Sequence, residues 1–321
     1  MKKKKLCLEE IFLEDERFRI SYYFSLEKMI LSLKSVGLVN PALVSFRDKH
    51  FILVSGWKGV LACLKLPLSS LPVFVIQEED DLKTFLMAFY ENLATREFSL
   101  LEKAEILRRL KKFGEDKKKI IRYFMPLLNI PSTLSHYESF LAFSQFEAEV
   151  KRIIYEKNMP FSSAKLLAGF APQERRLLLP LLSPLGQNKV KEVLEDLKEI
   201  SKKNDIPAKK ILSSKEIQDI MGSERLSLLQ KADKIRLFLK RRRYPTLSSW
   251  KESFDSLLKK LQWPKNIMVK PSPFFEEENF SINFAFGNSE ELKTNLLKLQ
   301  KLASKEEFSK IFKFRHYCKV A

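Results

Sequence analysis

The sequence predicts a multidomain α+β protein: a small α/β domain first, an all-helical centre, then further helices and a small hairpin-plus-helix module. Three observations carry this. Short apolar runs at 41–46, 51–54 and 72–76, bounded by turn residues, are interleaved with helical periodicity only within the first hundred residues. From Ser99 to Arg243 the apolar spacing is helical throughout. Beyond Trp263-Pro264 the composition changes, and Phe280, Ile282, Phe284 and Phe286 alternate with Ser281, Asn283 and Ala285, the period of a strand. The expected segments are 1–98, 99–185, 186–263 and 264–321.

In chain order, Ser25 is expected to cap a helix that carries Leu26, Met29, Ile30 and Leu33 on one face and closes at Gly37. The runs 41–46 and 51–54 read as a hairpin turning at Asp48-Lys49. A helix over 57–66 is stopped by Pro67, a strand follows at 72–76, and the acidic turn 78–81 leads into a helix through Phe85, Phe89 and Tyr90. Ser99 and Glu102 form an S-x-x-E capping box, opening a helix with Leu100, Ala104, Leu107 and Leu110 inward and Gly114 at its end. A helix over 116–128, the turn Asn129-Ile130-Pro131 and a helix capped by Ser132 and running to about Phe143 give helix-turn-helix geometry. Helices are expected at 146–157, 162–170, 172–182 and 187–204. A second box, Ser213 with Glu216, opens a helix ending at Gly222, and a helix over 227–243 ends in Lys240-Arg241-Arg242-Arg243 before Pro245. Ile267-Met268-Val269 reads as a strand. The phenylalanine-rich strand is expected to pack on a helix bearing Leu292, Leu296 and Leu299, and its edge offers a dimer contact.

Composition bounds the function. The 321 residues are 45% hydrophobic and 31% charged, enough for two or three small cores. The net charge of +18 is unevenly placed: residues 6–102 hold ten Lys/Arg against 14 Asp/Glu, whereas residues 103–321 hold 44 against 26. The first domain is therefore mildly acidic and the remainder attracts polyanions. Cys7, Cys63 and Cys318 are widely spaced, and with His50, His136 and His316 they offer no paired metal-ligand spacing, so no metal site is expected. Free thiols suit a reducing cytosol. The basic head Lys2–Lys5 is followed too soon by Glu9-Glu10 for a signal peptide, and no run reaches the roughly 18 apolar residues of a membrane span.

Two motifs stand in order. Val54-Ser55-Gly56-Trp57-Lys58-Gly59 reads as strand, tight turn and helix. Glu91-Asn92, with Arg96 after it, precedes the capped helix at Ser99. Together, and with Ser35-Val36-Gly37-Leu38-Val39-Asn40-Pro41 upstream, they resemble the nucleotide-handling boxes of ParB-type partition proteins, over roughly residues 9–185. The resemblance implies a ParB/sulfiredoxin-like N-terminal domain and a central helix-turn-helix domain. It implies that Gly56, Lys58, Gly59 and Arg96 bind the phosphates of CTP, with Mg. It also implies that Glu91 and Asn92 act in hydrolysis, a weak CTPase activity beside a chiefly non-enzymatic role. The chain departs from the pattern in two places. Lys58 stands where the family has its first arginine and Gly59 where it has its second, and Ala94 and Thr95 occupy the positions before Arg96. Lysine is a point charge and lacks the planar fork of arginine.

Contact with duplex DNA is expected from Lys117, Lys118, Lys119 and Arg122 to phosphates. Ser132, Thr133, Ser135 and His136, with Tyr137 beside them, open the second helix toward base edges. The implied protein is a cytoplasmic, nucleoid-associated homodimer, with no membrane association and with a partition ATPase as a further partner. The alternative is a transcription regulator or nucleoid-associated protein of the same ancestry that binds no nucleotide. An enzyme of the sulfiredoxin kind would need a cysteine in the turn, and Cys63 lies beyond it on the helix.

Overall fold

The computed structural model describes residues 1–47, 49–271 and 279–319, with side chains through residue 312. The chain forms two compact units, Met1–Glu195 with Ala208–Ala232, and Asp196–Pro207 with Asp233–Ala321. The boundaries expected at 98/99 and 185/186 fall inside the first unit, and that at 263/264 inside the second. Asp48, half of the expected hairpin turn, lies outside the described residues.

The first unit begins with a five-stranded sheet of β1 (Lys2–Cys7), β2 (Ile11–Phe12), β3 (Ala42–Arg47), β4 (His50–Ser55) and β5 (Ser70–Ile76), in the order β1-β5-β3-β4-β2. β3 and β4 are the expected antiparallel hairpin, and β5 runs parallel to β3. β1 and β2 stand at opposite edges of this order, yet only Leu8–Glu10 separate them. Five flat strands would hold those edges about 19 Å apart, so the sheet curls. The Lys4 ammonium, from β1, accordingly lies 5.8 Å from the Phe51 ring of β4. Inside the curl sit Leu6, Val44, Leu53, Val60, Leu71 and Val73.

α1 (Glu27–Val36) and α2 (Trp57–Cys63) pack on this sheet. α1 starts later than expected: Leu26 is its N-cap, and the Ser25 hydroxyl accepts from the Glu27 amide at 3.3 Å. The β4–α2 turn needs its glycine, because Gly56 has φ +91° and a Cβ there would lie 3.0 Å from Cα of Ala42. The acidic turn is used internally. Asp80 caps α3 (Asp81–Thr95), while Arg47 pairs with Asp81 and donates to the Glu78 carbonyl and the Thr84 hydroxyl.

The helices after Ser99 share a core with α3. Phe89 of α3 lies 6.0 Å from Phe98 and 5.7 Å from Phe124, ring to ring, which is why no separate unit begins at 99. Burying one such ring contributes about 1.5–3 kcal/mol. α4 (Leu100–Lys112) opens on the Ser99/Glu102 capping box and buries Ala104, Leu107 and Leu110. α5 follows in three consecutive pieces, Lys117–Lys119, Ile120–Phe124 and Met125–Leu127, the middle one a π-turn. Pro126 has no N–H to give Arg122, and the Met125 amide reaches back five residues to Ile120, widening the helix there. Asn129, at φ +53°, ends it.

α6 (Leu134–Ser144) is capped by Thr133, whose hydroxyl accepts from the His136 amide; the cap expected at Ser132 moves one residue. α7 (Ala148–Glu156), α8 (Phe161–Ala168), α9 (Pro172–Leu182) and α10 (Gln187–Asn204) follow. The short α11 (Ala208–Leu212) was not expected. It consumes the Ser213 amide, which bonds the Lys209 carbonyl, so α12 (Lys215–Gly222) has Ser214 at its N-cap and the expected Ser213/Glu216 box does not form. α13 spans Leu228–Arg243.

The second unit holds α14 (Pro245–Lys260), the hairpin β6 (Met268–Pro271) and β7 (Phe280–Asn283), and α15 (Ser289–Ala303). Phe254, Leu261, Leu302 and Ile311 form its core, and Phe280 stacks on Phe254 at 5.9 Å. The expected inward alternation holds only at Phe280 and, partly, Phe284. Phe286 lies beyond the four-residue strand and is 53% exposed, and Leu296 is 51% exposed because α15 turns Asn295 and Leu302 to the core instead.

Candidate functional site

A cleft of about 530 Å³ runs between the β4–α2 turn and the end of α3. Gly56, Lys58, Gly59, Glu91, Asn92 and Arg96, six residues spread over forty positions of sequence, all line it. Each element delivers its residues for a physical reason. The left-handed Gly56 turns the chain off the sheet so that Lys58, on the first turn of α2, is exposed. α3 carries Glu91 and Asn92 on its last turn, and Arg96 is its C-cap.

Their surroundings differ sharply. Glu91 is exposed. The Asn92 amide is spent on its own helix, donating to the Ala88 carbonyl at 2.8 Å and accepting from Arg96 Nε at 2.9 Å. Arg96 is fully engaged. Besides Asn92, its Nη1 pairs with Glu102 at 2.9 Å, its Nη2 donates to the Ser21 hydroxyl at 2.8 Å, and its guanidinium lies 4.9 Å from the Phe98 ring. Ser21 in turn donates to the same Glu102 carboxylate, whose other oxygen accepts from the Ser99 amide at 2.8 Å. Gly59 is buried beneath Leu38, whose Cδ1 would lie 3.1 Å from a Cβ at that position. A side chain there would require Leu38 to give way by a few tenths of an ångström.

The charged lining comprises Lys58 and Arg96 against Glu91, Glu97 and Glu102. A triphosphate calls for several free donors and net positive charge. Of the charged side chains lining the cleft, Lys58 is the one cation without a side-chain partner among the described residues. Sequence reasoning missed Ser21 as part of this site and gave Glu102 only its capping role. Nothing local to Ser21 signals Arg96, which lies 75 positions away, whereas Glu102 follows Arg96 by six. Cys63 is buried at the end of α2, where burial pushes its thiol up.

The second cluster lies on α5 and α6. Lys117, Lys118, Lys119 and Arg122 are all exposed. Lys119 pairs with Glu115 at 2.9 Å, and the Lys117 ammonium lies 5.8 Å from the Tyr137 ring. Lys118 and Arg122 have no side-chain partner among the described residues. At the start of α6, Ser132 and Ser135 are exposed, and Thr133 is committed to the cap. The half-buried His136 ring stacks on Phe161 at 4.8 Å with Nδ1 2.7 Å from the Thr133 hydroxyl. Tyr137 is buried and faces the core, not the surface. Lys165 of α8, which sequence reading passed over, reaches Ser135 at 3.3 Å and adds a cation at this helix start.

No family model matches the chain. A probable chromosome-partitioning protein ParB of Helicobacter pylori is 23% identical over 212 residues, covering 65% of this chain and 69% of the relative. One of Borreliella burgdorferi is 21% identical over 178 residues, covering 55% and 66%. The chain thus spans about two thirds of the length of these curated relatives. Among solved structures, the C-terminally truncated chromosome-partitioning protein ParB of Caulobacter crescentus complexed to the centromeric parS site is 16% identical. It covers 60% of this chain and 98% of that one at a TM-score of 0.33. The same protein complexed with CTP-γ-S is 17% identical, covering 57% and 99% at 0.28. A Pnob8-like ParB-N domain is 13% identical, covering 75% and 97% at 0.37. With the strand–turn–helix at Gly56, the Glu91-Asn92 pair and the capped helix at Ser99 in their order, and with two curated relatives 23% and 21% identical over more than half the chain, the protein is similar, at low identity, to ParB-type partition proteins.

Proposed function

We propose that this chain is a cytoplasmic DNA-binding protein of the partition type, gripping duplex DNA through α5 and α6 and carrying a vestigial nucleotide clamp. The observation that carries the DNA reading is the exposed run Lys117, Lys118 and Arg122 on the helix before the turn, with Lys165 of α8 reaching Ser135 on the helix after it. Lysine and arginine at those places neutralise phosphates and fix register. Base reading is left to Ser132 and Ser135, hydroxyls that discriminate weakly beside the bidentate side chains. The curated relatives' role in chromosome partitioning supports the same assignment. Among the described residues no helix is long and apolar enough to cross a membrane.

The vestigial reading is preferred to a CTP- and Mg-dependent clamp because Arg96 and Asn92 are spent and Gly59 is covered. Glu91 and Asn92 then have no hydrolytic role. Homodimerisation through the second unit accords with the exposed Ile282, Phe286, Leu296 and Leu297 there. A partition ATPase remains the family's natural partner. The same absence of a cradle favours, as a second reading, a regulator or nucleoid-associated protein of this ancestry, which differs in the sites it occupies and not in its grip.

Fluorescence anisotropy of a labelled duplex across a salt series tests the grip. With about 6–10 phosphate contacts, affinity should fall by roughly 10³–10⁵ between about 50 and 200 mM salt. Affinity indifferent to salt would exclude it.

A further inference from the structure

The resemblance to partition proteins gives Arg96 an anion to meet, and here it already meets a carboxylate. Glu102, the third residue of α4, places one carboxylate oxygen on Arg96 Nη1 at 2.9 Å while the other holds the Ser99 amide at 2.8 Å. Ser21, from the segment before α1, closes the ring by accepting from Arg96 Nη2 at 2.8 Å and donating to Glu102. Asn92 completes the set on Nε at 2.9 Å. Three separate pieces of chain, the end of α3, the start of α4 and the segment before α1, therefore meet on one guanidinium.

We propose that Glu102 is a built-in substitute for the ligand's anion, so that this wall of the cleft is latched by the protein's own carboxylate and closes without nucleotide. The inference rests on the vestigial reading of the clamp and supplies its cause. The carboxylate is well placed for the role. Its side chain is 13% exposed, and it is fixed at both oxygens, whereas a diffusing phosphate would have to surrender its freedom to take the same place. The capping box thereby acquires a second task. The residue that opens α4 also occupies Arg96, and a phosphate reaching the cleft finds Lys58 as its one cation not so engaged.

The test is calorimetric titration of the full chain with CTP and magnesium chloride, repeated on Glu102→Gln. The amide keeps an acceptor for Ser99 but surrenders the charge. The unaltered chain should give flat traces at millimolar nucleotide. Glu102→Gln should gain measurable binding, and Arg96→Ala in that background should lose it. Micromolar binding by the unaltered chain overturns the proposal. So does a Glu102→Gln chain that folds yet stays flat, since Arg96 was then never an anion site in waiting. Should that variant not fold, hydrogen exchange on the unaltered chain decides. Amides around Asn92–Glu102 protected equally with and without CTP and magnesium support the latch, and protection appearing only with nucleotide overturns it. Duplex binding is measured apart from these experiments, so loss of the latch and loss of the DNA grip are separate results.

Discussion

Arg96 in the cleft and Arg122 on α5 are the same side chain in opposite circumstances. Arg96 is gathered in by Asn92, Glu102 and Ser21, and Arg122 stands exposed with no side-chain partner among the described residues. The contrast extends to their neighbours: the cleft lining carries three carboxylates, while among the described residues Glu115 is the one carboxylate paired with the α5 lysines, and it takes Lys119. A positive charge that has found its anion inside the protein contributes to folding. One that has not remains available to an external polyanion. Net charge alone does not separate these cases.

If that division is right, breaking a paired charge should cost stability and removing an unpaired one should cost binding. The largest effect is expected deep under the first unit. There Glu105 pairs with the buried Arg109 at 2.7 Å, and Arg109 also reaches the Tyr22 hydroxyl at 2.9 Å. Glu105→Ala leaves a buried guanidinium without its carboxylate and should cost about 3–5 kcal/mol, read from urea unfolding. An unchanged midpoint would mean that the pair relaxes into water.

Next comes the opposite manipulation. Replacing Lys117, Lys118 and Arg122 together by Ala should lower the slope of log affinity against log salt by about 2.7, at about 0.9 per phosphate, with stability moved by less than about 0.5 kcal/mol. Lys119→Ala should weaken DNA binding less than Lys118→Ala, because Glu115 already holds that ammonium. Equal losses would erase the distinction drawn here.

A smaller effect separates capping from contact at the start of α6. Thr133→Ala should cost about 1 kcal/mol in thermal unfolding, and Ser132→Ala almost nothing. The reverse order would return the cap to Ser132.

The smallest is a pH effect. Arg175 binds Glu147 through two hydrogen bonds, at 3.0 and 2.9 Å, and holds its carboxyl below the usual glutamate value of 4.5. A depressed folded-state pKa contributes stability in full above the unfolded value, and that contribution is lost as pH falls through the folded one. Stability should therefore drop on acidification below about pH 4.5, and less steeply in Glu147→Gln. Parallel acid limbs for the two chains would remove Glu147 from the account.

Much of the fold was legible because it rests on local signals. The hairpin of β3 and β4, the Ser99/Glu102 box, the inward residues of α4 and the turn at Asn129 follow from strand period, cap chemistry and left-handed preference, each acting within a few residues. The misplaced caps at Ser132 and Ser213 arose where two hydroxyls or two overlapping helices competed within one turn, whereas at Ser25 the helix begins one residue late, on Leu26. The site was legible as a set of residues but not as a set of bonds. Sequence brought Gly56, Lys58, Glu91, Asn92 and Arg96 together, and had no means of showing that Ser21 and Glu102 would reach Arg96 first.

By itself, the sequence determined the β3–β4 hairpin, β5 and most of the helices, but not β1, β2, α11 or α14, together with where positive charge accumulates and which motifs stand in order. These depend on neighbours along the chain and on composition. Tertiary structure alone decided which side chains are spent: whether Arg96 also meets Ser21, whether His136 stacks on Phe161, and how closely Leu38 covers position 59. The physical reason is range. Periodicity and capping act over one turn of helix, whereas an ion pair forms between whichever groups the fold brings within about 4 Å, however far apart they lie in sequence.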